Sequence, residues 1–254
     1  MANQLFENTN IWENYDESGI IKKKVQIIKS IIPKDVKTIA DVGCGNGIIT
    51  NKLNEQYDII GIDSSKNALE FLNAPSLLAS IENIPIKDNS FDLVLCSEVL
   101  EHVPQSILEK SVSELKRITS KYLLITVPNE EFLEKLNVKC PECGTIFHAY
   151  GHLHSYNLKL LNELVGDEFQ VVKSFVGGPK GLEYNKALLK IRQNYAGKYF
   201  NPPNQLAYCE KCTNQTFLKV NGNLLSKICN GLNKIISRRK PYWLFVLYQK
   251  INSK

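Results

Sequence analysis

Three glycines alternate with other residues in Asp41-Val-Gly-Cys-Gly-Asn-Gly47. Placed directly after an apolar run, they let the backbone turn tightly and approach a ligand that a β-carbon would block. Twenty residues past Gly43, Asp63 closes the next apolar run, where a carboxylate can accept two hydrogen bonds from ribose hydroxyls. The spacing is not the Gly-x-Gly-x-x-Gly of dinucleotide enzymes, and no Lys-Ser/Thr follows to make a phosphate loop. Glu98-Val-Leu-Glu-His102 brings two carboxylates and an imidazole to spacings of three and four residues, which share a face if the segment opens a helix. In His148-Ala-Tyr-Gly-His-Leu-His-Ser-Tyr156, Leu153 separates His152 from His154, so both can point the same way from an extended segment. An imidazole titrating near neutrality can take a proton from an acceptor group, and His152 is the first candidate for a pocket residue. The other readings are structural hydrogen bonding and ligation of a nearby metal by His148.

The chain has seven cysteines, four of them in the pairs Cys140-Pro-Glu-Cys143-Gly144 and Cys209-Glu-Lys-Cys212. Each short turn can present two thiolates to one ion, and Gly144 permits the tight backbone. The 66-residue separation of Cys143 from Cys209 exceeds an ordinary zinc ribbon, so the fold must bring the pairs together. A closed four-cysteine zinc site is expected, structural rather than catalytic; neither pair sits at the strand-to-helix turn of a redox dithiol. Cys44, Cys96 and Cys229 stand alone in apolar or motif contexts.

These groups need positioning elements. Thr38–Val42, Asp58–Ile62, Phe91–Cys96 and Tyr122–Val127 read as buried strands, with helical patterns at Lys66–Leu72 and Ser106–Ile118 between them. Such alternation gives a parallel sheet covered on both faces, with ligands at the carboxyl ends of its strands. Beyond Pro128 the pattern changes. Phe169–Phe175 reads as a strand, and the stretch 177–240 is irregular, with Gly177-Gly178-Pro179 and Pro202-Pro203. An amphipathic helix lies around Leu224, Leu225, Ile228, Leu232, Ile235 and Ile236, and Trp243–Tyr248 is a final strand.

Charge divides unevenly. Residues 186–254 hold 13 Lys and Arg against the single acid Glu210, a net +12, while residues 1–185 hold 18 bases and 25 acids, a net −7. A basic quarter on an acidic body suggests an anionic partner: a phosphorylated substrate, a nucleic acid or a membrane surface. The longest apolar run, Tyr242–Tyr248, is far short of a membrane span, and the first residues lack the pattern of a secretory signal, so the chain is expected to be soluble and cytoplasmic.

Taken together, Asp41-Val-Gly-Cys-Gly-Asn-Gly47, Gly61-Ile-Asp63, Ile81-Glu-Asn-Ile-Pro-Ile86 and Asp88-Asn-Ser-Phe-Asp-Leu-Val-Leu-Cys-Ser-Glu-Val-Leu-Glu-His-Val103 resemble class I S-adenosylmethionine-dependent methyltransferases, in family order over residues 39–127. The resemblance implies a Rossmann-like seven-stranded α/β sheet, mostly parallel with an antiparallel last strand and helices on both faces, here carrying a Cys-rich insertion. It implies S-adenosylmethionine as cofactor. Asp41, Gly43, Cys44, Gly45 and Gly47 would hold the methionine part, Asp63 with Ser64 the ribose, Ile81 and Glu82 the adenine, and Cys96 with Ser97 would close the pocket. Many relatives carry Asp where this chain has Ser80, so Ser80 or Glu82 would take over the adenine amine. In some relatives a Glu-x-x-Glu-His string is similar to a divalent-metal site, which gives Glu98, Glu101 and His102 a second, metal-holding reading.

The expected organisation is one methyltransferase domain over 1–254. Within it lie a helical cap at 1–35, a cofactor-binding core at 36–176, a basic insertion at 177–240 clipped by the Cys pairs, and a final strand at 241–254. The expected reaction is methyl transfer to an oxygen, with His152, His102 and Glu98 as catalytic candidates. The acceptor would be a small anionic metabolite, such as a nucleotide-linked sugar or phosphorylated precursor of a surface polysaccharide, met by bases such as Arg192 and Lys198. The rivals are an RNA methyltransferase gripping phosphates with Lys234 to Lys240 and the Cys knuckles, and a non-catalytic, zinc-stabilised binding protein.

Overall fold

The computed structural model describes residues 19–202, 207–217 and 220–251. The first 18 residues of the expected N-terminal cap, with Pro203 and Lys254, lie outside the described residues. The remainder of the cap is α1 (Gly19–Ile31), which buries Val25, Ile28 and Ile31 at helical spacing.

The chain then alternates β1 (Thr38–Val42), α2 (Ile48–Leu53), β2 (Asp58–Asp63), α3 (Lys66–Leu69), β3 (Ser76–Leu78), β4 (Phe91–Ser97), α4 (Gln105–Ile118) and β5 (Thr119–Pro128). After β5 come a two-stranded ribbon, β6 (Asn137–Lys139) with β7 (Ile146–His148), then α5 (Leu158–Val165), β8 (Phe169–Leu182), α6 (Lys186–Lys190), α7 (Leu224–Ile236) and β9 (Arg239–Lys250). The main sheet has seven strands in the order β3-β2-β1-β4-β5-β9-β8. Strand β9 runs antiparallel to both β5 and β8 and is the one reversed strand of this sheet.

Two apolar layers hold helices to the two faces. On one, Leu108, Val112, Leu115, Leu161 and Val165 pack on Val94, Leu123 and Val246. On the other, Ile28, Ile31 and Leu53 pack on Ile39, Leu93, Leu124 and Phe245. The central strands are buried on both sides, which explains their continuous β-branched and leucine runs.

Strands β8 and β9 exceed the expected lengths. β8 continues through Gly177-Gly178-Pro179 to Leu182, crossing a register shift between Gly177 and Lys180. β9 begins at Arg239, so 183–238 is the stretch between these two strands. Among the described residues no helix is long and apolar enough to cross a membrane.

Candidate functional site

The glycine turn follows β1 with all three glycines at positive φ (75°, 54° and 73° at Gly43, Gly45 and Gly47). Gly43 and Cys44 donate to the Ile62 carbonyl at 2.7 and 3.2 Å, locking the turn to the end of β2. Asp63 accepts from the Gly45 N–H at 2.8 Å through Oδ2 and from the Ser65 N–H at 2.9 Å through Oδ1. Each oxygen keeps a lone pair for a ligand hydroxyl. Burial raises the Asp63 carboxyl from its ordinary range, against the lowering effect of these amide donors.

The space denied to side chains here belongs to the protein itself. A β-carbon on Gly43 would run into Val99, and one on Gly47 would lie 2.8 Å from Leu72. Asp41 points inward and accepts from Thr50 Oγ1 at 2.7 Å; burial pushes its carboxyl up to about 6. Burial also raises the Cys44 thiol, with Asp41 and Asp63 adding to the effect, so it stays protonated.

In the segment expected to meet adenine, the Ser80 hydroxyl donates to the Glu82 carboxylate, which lowers the Glu82 pKa. The two residues expected to share the adenine contact are therefore bonded to each other. Ile81 is half-buried beside them. Cys96 is fully buried within the apolar layer, while Ser97 bonds Thr126 Oγ1 at 2.9 Å.

Val99 joins the glycine turn to the acid-imidazole group. The stretch Leu100–His102 is a single 3-10 turn, and α4 begins only after Pro104. Glu98 precedes that turn at φ 56°, so the expected shared helix face does not form. Its Oε1 lies 3.2 Å from Lys24 Nζ, which also sits 5.0 Å over the Trp243 ring. Glu101, His102 and His152 instead come together, with one ligating atom from each within 4.8 Å of the others. The Glu101 carbonyl accepts from the Leu153 and His154 N–H groups, which pins the histidine segment against this turn.

Glu101 is fully buried, and neither carboxylate oxygen has a hydrogen-bond partner among the described residues. Burial and the neighbouring Glu98 push its pKa well up. Burial and His152 push His102 down to about 3 and His148 down to about 4. Orphaned carboxylate oxygens beside two imidazoles are the donor set of a divalent cation, which would restore charge to Glu101.

Glu131 was not among the sequence candidates. Its carboxylate bonds His152 Nδ1, and its other oxygen lies 3.8 Å from His148 Nε2. His148 Nδ1 accepts from the Tyr150 and His152 N–H groups at 3.3 and 3.1 Å, so the neutral ring carries its proton on Nε2, facing Glu131. Glu131 thus holds His152 with Nε2 open. Its place just beyond the carboxyl end of β5 was the available signal. Lys24, inside an amphipathic helix, gave none. His154 turns away from His152 and bonds the Val103 carbonyl at 2.8 Å.

The two Cys pairs meet although Cys143 and Cys209 are 66 positions apart. Cys140 and Cys212 sulfurs are 3.5 Å apart, those of Cys143 and Cys209 are 3.6 Å apart, and all four lie within 4.8 Å. The knuckles repeat one another: Cys140 N–H donates to Thr145 O and Gly144 N–H to Cys140 O, as Cys209 N–H donates to Asn214 O and Thr213 N–H to Cys209 O. Val138, Ala149, Ala207 and Phe217 form a small apolar cluster around them. The bases expected to meet an anionic acceptor are used nearby: Arg192 donates to the Lys198 and Tyr199 carbonyls and Lys198 to that of Val220.

A family described as a methyltransferase domain matches residues 40–122. A ubiquinone biosynthesis O-methyltransferase of Aliivibrio fischeri is 31% identical over 173 residues, 59% of this chain and 68% of that protein. An uncharacterized protein of Methanocaldococcus jannaschii is 34% identical over 125 residues, 48% of this chain and 51% of its own length. The chain spans about half the length of the first curated relatives it matches. A crystal structure of an S-adenosylmethionine-dependent methyltransferase from Thermotoga maritima superposes over 98% of this chain and 99% of its own, with TM-score 0.56 and 16% identity, a likeness of fold.

Proposed function

The chain belongs to the class I S-adenosylmethionine-dependent methyltransferases, and from that premise we propose that it methylates a hydroxyl oxygen of a small-molecule acceptor. The observation that carries this reading is the contact of Val99 with Gly43, which sets the Glu101, His102 and His152 group beside the cofactor turn. The glycine turn and the Asp63 carboxylate fit the methionine and ribose parts of S-adenosylmethionine, which supplies an electrophilic methyl when bound. Oxygen as the acceptor atom draws support from relatives that are O-methyltransferases.

Glu101, His102 and His152 would hold a divalent cation, whose chemistry is to acidify a hydroxyl bound to it. The chain's own groups prepare the rest. Glu131 fixes the tautomer of His152 with Nε2 open, and His148 in turn faces Glu131. Glu98 serves as the anchor for Lys24, tying α1 across the end of the sheet.

A small anionic acceptor, such as a nucleotide-linked sugar or phosphorylated precursor of a surface polysaccharide, draws its support from the charge of 186–254. With Arg192 and Lys198 spent on backbone carbonyls, that charge gives the anionic reading little support. The four cysteines we assign to zinc: tetrahedral Zn–S arms of about 2.3 Å set sulfurs about 3.8 Å apart, near the spacing found. Such a closed site is structural.

The test is calorimetry with S-adenosylmethionine, followed by turnover of hydroxyl acceptors before and after chelation of weakly held divalent ions. Binding with chelator-sensitive turnover supports the reading. Failure to bind the cofactor would make the chain a binding protein that merely keeps the fold, and salt-sensitive methylation of RNA would move the acceptor to nucleic acid.

A further inference from the structure

Helix α7 is turned inside out. Its inward side is small and polar: Ser226, Cys229 and Asn233 are buried, while the leucines and isoleucines are not. Asn233 explains the orientation, since its Oδ1 accepts from the Asn185 N–H at 2.8 Å and its Nδ2 donates to the Glu183 carbonyl at 2.9 Å. Asn230 accepts from the Tyr184 hydroxyl at 2.7 Å. These bonds fix the polar side to the body and leave Leu224, Leu225, Ile228, Leu232, Ile235 and Ile236 outward, with Leu224 75% and Ile235 80% exposed.

At 100° per residue these six side chains occupy one arc of about 120°. Lys227 and Lys234 stand beside that arc, and Arg238 and Arg239 follow the helix. All four cations are exposed, and none has an ion pair among the described residues. Tyr195, 80% exposed, lies near the start of the helix, where Asn223 Nδ2 donates to the Ala196 carbonyl.

We infer that α7, with Arg238 and Arg239, docks the protein on an anionic lipid bilayer surface. An apolar arc with cations along one border suits a helix lying in the headgroup plane, where the aliphatic side chains enter the acyl boundary and the bases meet lipid phosphates. Charge chooses the occupant. A second copy of this chain would bring the same excess of bases against itself, and RNA would leave the six aliphatic side chains in water.

Topology gives the docking a direction. β9 starts at Arg239, directly after the helix, and its Trp243 pairs with Pro128 at the carboxyl end of β5. The helix therefore hangs from the end of the sheet that carries Glu101, Glu131 and His152. A docked α7 would turn that end toward the bilayer, whatever the acceptor.

The experiment is flotation of the full chain with vesicles of phosphatidylcholine alone or containing about one third phosphatidylglycerol. Binding should require the anionic lipid and weaken with salt over the range where the Debye length shortens from about 10 to 3 Å. Leu232→Ser with Ile235→Ser, both on exposed positions, should reduce partitioning at least about tenfold with an unchanged melting curve. Lys227→Gln with Lys234→Gln should reduce it about 30-fold, at about fivefold per cation near the surface. Absence of vesicle binding by the intact chain overturns the inference, as does equal binding to neutral vesicles. A concentration-dependent dimer, or an RNA complex, abolished by the same apolar substitutions would also overturn it by giving the face another occupant.

Discussion

The cofactor turn and the region beyond β5 sit at the same end of one sheet but are built in opposite ways. In the first, Gly43 and Gly45 lie in the turn that leaves β1 and Asp63 ends the neighbouring parallel β2, so the pairing of these two strands brings the Gly45 N–H to the Asp63 carboxylate at 2.8 Å. In the second, Glu101, Glu131 and His152 come from three separate connections, and neither Cys140 nor Cys212 lies on a strand of the main sheet. A site made by adjacent strands depends on the sheet. A site made by loops must carry its own cohesion, which here is a carboxylate-imidazole chain and a four-thiolate knot.

The difference is sharpest when the knot is cut. Cys209→Ser should release the metal, since structural zinc contributes about 10–16 kcal/mol in small isolated sites. Metal analysis should fall from about one zinc per chain to none. Hydrogen exchange should quicken over Asn137–His148 and the second knuckle, while β1, β2 and β4 keep their protection. Protein purified without metal and with an unchanged melting temperature would break the comparison, leaving loop packing alone as the source of cohesion.

Next in size is the chemistry of the loop-built group. Glu101→Gln should lower turnover about 100-fold or more and change cofactor affinity less than twofold, because it removes a ligand of the proposed cation and leaves the Gly43–Gly47 turn and Asp63 untouched. Glu131→Gln should cost less, about tenfold, since it acts through His152. Equal losses of cofactor binding and turnover would merge the two regions into one site.

The sequence made the strand-built half readable because its signals are local. Glycines after an apolar run, and an acid closing the next one, need only β1 and β2 to meet. The reversed β9 was readable as an apolar run, though its Arg239-Lys240-Pro241 start was hidden by charge and proline. β8 outran its expected end because Gly177-Gly178-Pro179 reads as a breaker, whereas an edge strand can absorb it as an irregularity; Gly178, at φ 87°, lets Trp243 pack against its backbone. Glu131 was hidden for another reason. Nothing in its neighbours shows that a loop will fold it onto an imidazole 21 positions later. The face expected to be shared by Glu98 and Glu101 does not form, because i,i+3 spacing implies one only inside a helix, and the chain there makes a left-handed residue and one 3-10 turn.

Burial of charge separates the regions by pH. Asp41 titrates at about 6 in the fold because burial penalises its ionised form. Its raised carboxyl gives stability that is full under acid conditions, where it is protonated in both states, and lost as pH rises through about 6. The loss should approach about 2–3 kcal/mol at neutral pH. Denaturant titrations should show Asp41→Asn gaining on the parent between pH 4 and 7. A constant difference over that range would remove Asp41 as the source.

Asp63→Ala should weaken S-adenosylmethionine by about 1–3 kcal/mol, the scale of hydrogen bonds to a charged acceptor. It also frees the Gly45 N–H, so the loss would include some ordering of the turn. Calorimetry giving the parental affinity would place the ribose elsewhere.

The smallest effect tests the likeness of the two knuckles. Gly144 and Thr213 occupy the same step, with φ of 72° and 60°, and each donates its N–H to the carbonyl of the first cysteine of its pair, at 3.0 and 2.7 Å. Glycine takes this conformation freely, but a β-branched residue is strained in it by about 1–2 kcal/mol. Threonine repays part of that through Oγ1, which donates to the Cys212 carbonyl at 2.7 Å. Glycine at 213 would also add about 0.5–1 kcal/mol of unfolded-chain entropy to overcome. The net gain for Thr213→Gly should therefore be only about 0.5 kcal/mol, a rise of about 1–2 °C in Tm for a domain of this size. Gly144→Thr should do the reverse by a larger amount, since it adds the strain without a hydroxyl partner already in place. Melting curves of the zinc-loaded proteins would measure both. If Thr213→Gly lowers Tm, the hydroxyl bond outweighs the backbone strain, and the second knuckle is held by its side chain where the first is held by its backbone.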